Sequence, residues 1–466
     1  MKKFLAEHSG IALPVVVAVT ALVSVLGFAA AYVVNSQTAL NLRLAGSQKA
    51  LSCAEAGIHE YLWHLNKDSK FYEHDDDFLF DGGQPRVHTL RGGCYRLEVD
   101  PPSTDKPVVT IRSTGWPEGE PGNQVTVEAE VHKRQFVQQI YLSGAELTPV
   151  GGETVWWITG DEVWGPLHTN GTLNIDGGPV FHDRVTYSVG LNVRPGSSPV
   201  YEKGPPEKVA PLVFPPTNSQ LKTQALFDGY YYQGRTCILL NGNQIKIRNK
   251  NGATETRPLP PNGVIYVDGN STGSKWDLNT GNAFVSGTMD GRLTIAAAKD
   301  IFITGKDPTN FTYGTAQVTG GLKYASDDFD PSGGMTDDML GLVAGGYVRI
   351  LHWNWPAGSY PYYSSAGDVA PQNITIHAAV FALNWAFEYE DYDEGALKGT
   401  ITLVGSVTQK YRGAVGTFWS GTGTRITGYN KNYRHDPRMA YDTPPHFLEP
   451  VNAGWRIVGW RTMNNP

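Results

Sequence analysis

Residues 11–34, IALPVVVAVTALVSVLGFAAAYVV, contain no charged side chain. A helix of that length, rising 1.5 Å per residue, measures about 36 Å and crosses the roughly 30 Å apolar core of a bilayer. Lys2 and Lys3 precede it. The positive-inside bias therefore places the N-terminus in the cytoplasm and the rest of the chain outside, as a single-pass protein of the cytoplasmic membrane. Three readings compete for this segment. The plainest is an anchor. A cleaved secretory signal is the second, with Ala29-Ala30-Ala31 as a small-residue cleavage site. The apolar run before that site is longer than a signal needs, and it continues into Tyr32-Val33-Val34. The third takes MKKFLAEHSG, residues 1–10, as a polar leader ending at Gly10, with the apolar helix starting at once from Ile11. Pro14 suits a helix's first turn, where its missing amide has no intrahelical partner to lose.

The apolar run is followed by NSQTALNLRLAGSQKALSCAEAGIHEYLWHLN, residues 35–66. Leu44, Leu51, Ala54, Ile58, Tyr61 and Leu65 recur at threes, fours and sevens, the pattern of a helix with one buried stripe. No proline interrupts it, so one rod from Ile11 to Lys67, on the order of 85 Å long, is expected. The leader ending at Gly10, the uncharged helix after it, and Ala45–Leu51 continuing through the AEAG segment Ala54–Gly57 to Ile58 resemble type IV pilins. The resemblance is to pilus-assembly proteins of the PilX type and extends over residues 1 to about 145. It implies cleavage by a prepilin peptidase between Gly10 and Ile11, methylation of the new N-terminus, and other pilin or minor pilin subunits as partners.

Val15 departs from that family's pattern, which places Glu at the fifth residue of the mature chain. In the family this carboxylate meets the terminal amine of a neighbouring subunit, and an unpaired charge in an apolar filament core is costly. The departure, like that of tip pseudopilins, points to a minor, priming or tip subunit.

Beyond the rod, Tyr95-Leu97-Val99, Val109-Ile111 and Val125-Val127-Ala129-Val131 alternate with polar residues. Residues 68–134 therefore read as a small antiparallel sheet packed on the helix stripe, an α+β pilin-like module. Cys53 lies on the outer half of the rod and Cys94 beside the first strand, so the two are candidates for a disulfide, with unpaired thiols as the alternative. Cys237, in the run CILLNGN, is expected to be buried and free.

The remaining residues, 135–466, form short β runs separated by Gly or Asn turns, as in GTLNIDGG and GRLTIAAAKDIFITGKD. Gly is 53 of 466 residues and charged residues are 18%, a composition of strands and tight turns. The runs suit strands buried in a stacked coil, a parallel β-solenoid or β-helix; the alternative is a β-sandwich. Residues 191–262 read as an insertion, with a Pro/Ser/Gly-rich stretch and a hairpin turning at Asn241-Gly242.

The net charge is −7, so no basic surplus exists to neutralise a nucleic-acid backbone. The chain carries no GxSxG, P-loop or HExxH motif, and no CxxC for zinc or redox chemistry. His59-Glu60 and His64 miss the metalloprotease spacing by one residue, and His168 reads as a hydrogen-bonded turn. The chain is therefore expected to be non-enzymatic, without a cofactor. Asp327, Asp328 and Asp330, before Pro331-Ser-Gly-Gly, are candidate Ca²⁺ ligands, as are the acids of FEYEDYDEG (388–394). Trp353, Trp355, Tyr360, Tyr362 and Tyr363 are candidates for a surface aromatic site that stacks on a glycan or anchors an interface. Trp156 and Trp157 are adjacent in a strand, so one must face outward. These readings converge on a structural pilus or pseudopilus subunit that reaches the cell surface. The competing reading is a membrane-anchored β-helix protein that binds or cleaves extracellular glycans.

Overall fold

The structure is a computed structural model that describes residues 12–68, 71–102, 108–310, 316–326, 336–353, 367–419, 424–440 and 442–463. The chain divides into two compact units. The first comprises residues 1–103, 108–133 and 455–466, and the second comprises 134–454 with residues 104–107.

In the first unit a single helix, α1, runs from Ala12 to Lys67. The apolar residues of its N-terminal half, from Leu13 to Leu42, are exposed. From Ala50 onward one face is buried, carrying Ala50, Cys53, Ala54, Ile58, Tyr61 and Leu65. This is the expected stripe with two changes, Leu51 being only partly buried. Leu44 is exposed, because the sheet that covers the stripe starts only near Ala50. The sheet is antiparallel, with strands His88–Leu90, Gly93–Asp100, Val109–Pro117 and Val125–Lys133 in sequence order. Small residues set the distance between helix and sheet. A Cβ on Gly115 would run into the α1 backbone at Ala50, Cys53 and Ala54. A Cβ on Gly57 would lie 2.6 Å from the Tyr95 ring. Strand and helix backbones thus meet closely where Gly115 crosses Ala50–Ala54, and Gly57 makes room for the Tyr95 side chain.

The fifth strand of this sheet is the C-terminal one, Trp455–Met463, paired antiparallel with Val125–Lys133. This corrects the expected boundary of a body extending from 135 to 466. The alternation of a short final strand is visible only against the core it completes. Asn66, at the end of α1, fixes the strand's start by accepting from the Trp455 amide at 2.8 Å. Glu128 is buried on the sheet and accepts from Arg112 Nε at 2.8 Å and pairs with Arg461 on the C-terminal strand at 2.6 Å. Burial pushes the Glu128 carboxyl up, but the two guanidiniums more than offset this and hold it below the usual range.

The second unit is built almost entirely from parallel strand pairs. Tyr141–Ala145 pairs with Leu167–Thr169, which pairs with Val185–Tyr187, which pairs with Glu207–Lys208. On its other side Tyr141–Ala145 pairs with Leu397–Tyr411. From there the stack continues through Ile374–Ala382, Met339–Ala344, Arg292–Ala297 and Val264–Asp268 to Tyr230–Gln233. The chain therefore enters the stack in its middle, builds one arm outward, crosses to the far end and builds inward to meet itself where Val407 pairs with Tyr141.

The crossing is made by residues 209–229. Its helix Ser219–Asp228 buries Leu221 and Ala225 against Val264, Tyr266 and Ala296. Inward-facing residues such as Ile265, Ile295, Leu342, Val380 and Val407 stack into one continuous core. Residues 191–262 are not a separate insertion. Thr236–Gly242 turns at Gly242 into an antiparallel hairpin, yet also pairs in parallel with Ala283–Met289. The Gln244–Pro258 ribbon is antiparallel, and its Ile245 and Ile247 are buried in the same core.

Candidate functional site

The chemistry of the first unit lies in what α1 leaves uncovered. Leu13 is 74% exposed and Val15 51%, and the apolar residues from there to Leu42 stay open to the surroundings. Hydroxyls along this stretch turn inward to the helix's own carbonyls. Thr20 donates to Val16 O at 2.8 Å, Ser24 to Thr20 O at 2.7 Å and Thr38 to Val34 O at 2.9 Å. The half-helix thus presents an apolar cylinder whose Ser and Thr hydroxyls, Ser36 included, are satisfied by its own carbonyls, as a bilayer or a packed helical core requires. Among the described residues it is the one helix long and apolar enough to cross a membrane, with a mean hydropathy of 2.4 over its best stretch. Pro14 lies in the first turn of the described helix. Gly10 and Ile11 lie outside the described residues.

Cys53 and Cys94 are free thiols. Tyr95 and Gly93 face the helix, so the strand's alternation turns the side chain of Cys94, between them, to the other face of the sheet. The pairing suggested by the sequence is not made for that reason. Cys237 is buried and free, and burial pushes its thiol up to about 12.

The candidate Ca²⁺ ligands Asp327, Asp328 and Asp330 lie outside the described residues, as do Trp355, Tyr360, Tyr362 and Tyr363. Trp353 does not belong to an exposed aromatic site. It is buried and stacks on His352 with ring centres 3.8 Å apart. Two of the acids of FEYEDYDEG are used within the fold, while Asp391, Asp393 and Glu394 are exposed. Glu388 accepts from Arg349 Nε at 2.7 Å, and Glu390 pairs with Lys275 at 2.5 Å while receiving the His352 amide at 3.0 Å. Burial pushes the Glu388 carboxyl up to about 7 against the pull of Arg349. No cluster of three or more His, Cys, Asp or Glu side chains with a metal-holding arrangement occurs among the described residues.

His168 is fully buried, with Nδ1 2.8 Å from Thr186 Oγ1 and Nε2 2.9 Å from Asn170 Oδ1. Burial lowers it to about 4, so it is a neutral structural imidazole at pH 7. Of the tryptophan pair, Trp157 is buried and Trp156 faces outward under the Arg194 guanidinium, 4.0 Å from its ring.

No family model and no curated protein matches the sequence. Among solved structures, the competence-associated pilin ComZ from Thermus thermophilus is similar over 90% of this chain and 97% of its own, at 12% identity and a TM-score of 0.31.

Proposed function

We propose that this chain is a minor subunit of a type IV pilus or a related secretion pseudopilus, and that it acts without catalysis. One observation carries the reading. A single unbroken helix exposes an apolar cylinder over its first half and packs its second half on an antiparallel sheet. A membrane anchor needs only the first half. A subunit that leaves the bilayer to pack with neighbours needs both, because the sheet must travel rigidly with the helix.

On this reading Lys2 and Lys3 stay in the cytoplasm, a membrane peptidase cuts after Gly10, and Ile11 becomes the methylated terminus. The parallel stack of residues 134–454 is read as a β-solenoid carried outside the membrane. Two features favour a tip or priming position. Val15 supplies no carboxylate to a neighbour's terminal amine, and the inserted unit is far larger than the sheet that carries it. Helical packing crowds successive sheets together, so such a bulk suits a position that occurs once.

Mass spectrometry of the mature protein tests the processing step. The expected N-terminal peptide starts at N-methylated Ile11, and Gly10→Trp should leave the full-length precursor in the membrane. An intact Met1 in protein recovered from filaments would refute the reading, and a start at Tyr32 would replace it with a secretory signal.

A further inference from the structure

The second unit has an open cleft of about 660 Å³ where its parallel sheet comes apart. Strand Gly428–His435 pairs with Glu162–Trp164 at only two positions, Tyr433 with Val163 and Arg434 with Trp164. N-terminal to these the strands separate. One wall is Tyr429–Asn432, the other Val155–Glu162, and the segment Arg412–Phe418 closes the side. The volume falls within the roughly 300–1,000 Å³ typical of small-molecule sites.

We infer that this cleft binds a short uncharged oligosaccharide. Four aromatic residues line it; Tyr429 is buried, and the other three rings are open to a ligand. Trp164 is 43% exposed and is held by stacking on His182, ring centres 3.5 Å apart. Trp156 is held from one side by Arg194, itself paired with Asp176 at 2.5 Å. Phe418, 44% exposed, completes the set. Two of the three rings are therefore fixed in orientation before any ligand arrives, which lowers the ordering cost of binding. Flat apolar rings match the C–H faces of pyranoses, while the Asn430, Asn432 and Thr417 side chains supply amides and a hydroxyl for sugar hydroxyls.

The charges of the lining select against an ionic ligand. Lys431 pairs with Asp161 at 3.3 Å and Arg412 with Glu146 at 2.7 Å. What remains is one acid, Glu162, and one base, Arg425, whose guanidinium donates to the carbonyls of Gly399 and Gly428, both at 3.0 Å. The Lys431–Asp161 pair also bridges the point where the strands part, which is the edge an added peptide strand would need. This inference is independent of the filament reading, since an anchored protein that never assembles carries the same cleft.

The test uses the full chain in a detergent without a sugar headgroup. Chitotetraose, cellotetraose and maltotetraose are titrated by calorimetry, with tetragalacturonate as the charged comparison. At least one neutral tetrasaccharide should bind with a Kd below 1 mM, as roughly expected for a wet, stacking-dominated site. Trp164→Ala should weaken it at least tenfold and Asn430→Ala several-fold. Trp419→Ala, an exposed ring outside the cleft, should change it less than twofold. Asn430 is exposed, so its variant keeps the test valid if Trp164→Ala misfolds. Binding of none of the neutral sugars, equal affinity in the Asn430→Ala and wild-type proteins, or preference for tetragalacturonate would overturn the proposal.

Discussion

Ending the chain at Gly454 is expected to unfold the first unit while leaving the parallel stack folded. The deleted strand, Trp455–Met463, closes the edge of Val125–Lys133 and packs Trp455 and Ile457 on the core formed by α1 and the sheet. Its loss also strips Glu128 of Arg461 and leaves the Asn66 side chain without the Trp455 amide. A nine-residue strand of ladder bonds and apolar contacts, together with a half-paired buried carboxylate, amounts to most of the ~5–15 kcal/mol that holds a domain folded. Limited proteolysis of the protein ending at Gly454 should release the second unit intact and degrade residues 71–133. Equal protease resistance of both units would show that the C-terminal strand is dispensable.

The second large effect is expected at the joint of the two arms. Arg412 and Glu146 are both buried and paired at 2.7 Å, with the Arg412 guanidinium 3.9 Å from the Trp157 ring centre. They lie beside the Val407–Tyr141 pairing, and Gln409 reinforces it by donating to the Tyr141 hydroxyl at 2.7 Å. Arg412→Ala leaves a buried carboxylate without its cation, a loss of about 3–5 kcal/mol. Replacing both partners, Glu146→Leu with Arg412→Met, removes the uncompensated charge and should recover most of that loss. Denaturant melts of the single and double variants measure the difference. A single variant as stable as wild type would mean that the arms are held by the core alone.

The rod was legible in the sequence because its signals are local. An uncharged run and a three-four spacing identify a helix and its buried face without reference to anything else. The stripe failed at Leu44 because burial depends on how far the sheet extends, a property of chain segments dozens of residues away. The strands of the body were legible as short apolar runs between Gly and Asn turns. Their order was not, because a chain that enters a stack at Tyr141 and closes it at Val407 leaves no spacing pattern behind. The return of Trp455–Met463 to the first sheet was hidden for the same reason.

The aromatic candidates show the limit most clearly. Trp353 lies in a ring-rich stretch, and the sequence offers no way to tell a ring that packs inward from one that faces a ligand. Trp164 and Phe418, which line the cleft, lie far apart in the sequence, and they meet only where two strands diverge. Cys53 and Cys94 were correctly placed on neighbouring elements, but the alternation that turns Cys94 away depends on Tyr95 facing the helix.

Immunogold labelling of sheared filaments with an antibody against residues 134–454 decides whether this chain is a filament subunit. The chain should be present in the filament fraction at low stoichiometry, with label at filament ends. Label spaced uniformly along filaments would overturn the tip position. Absence from the filament fraction, with the protein abundant in the membrane, would contradict the claim itself.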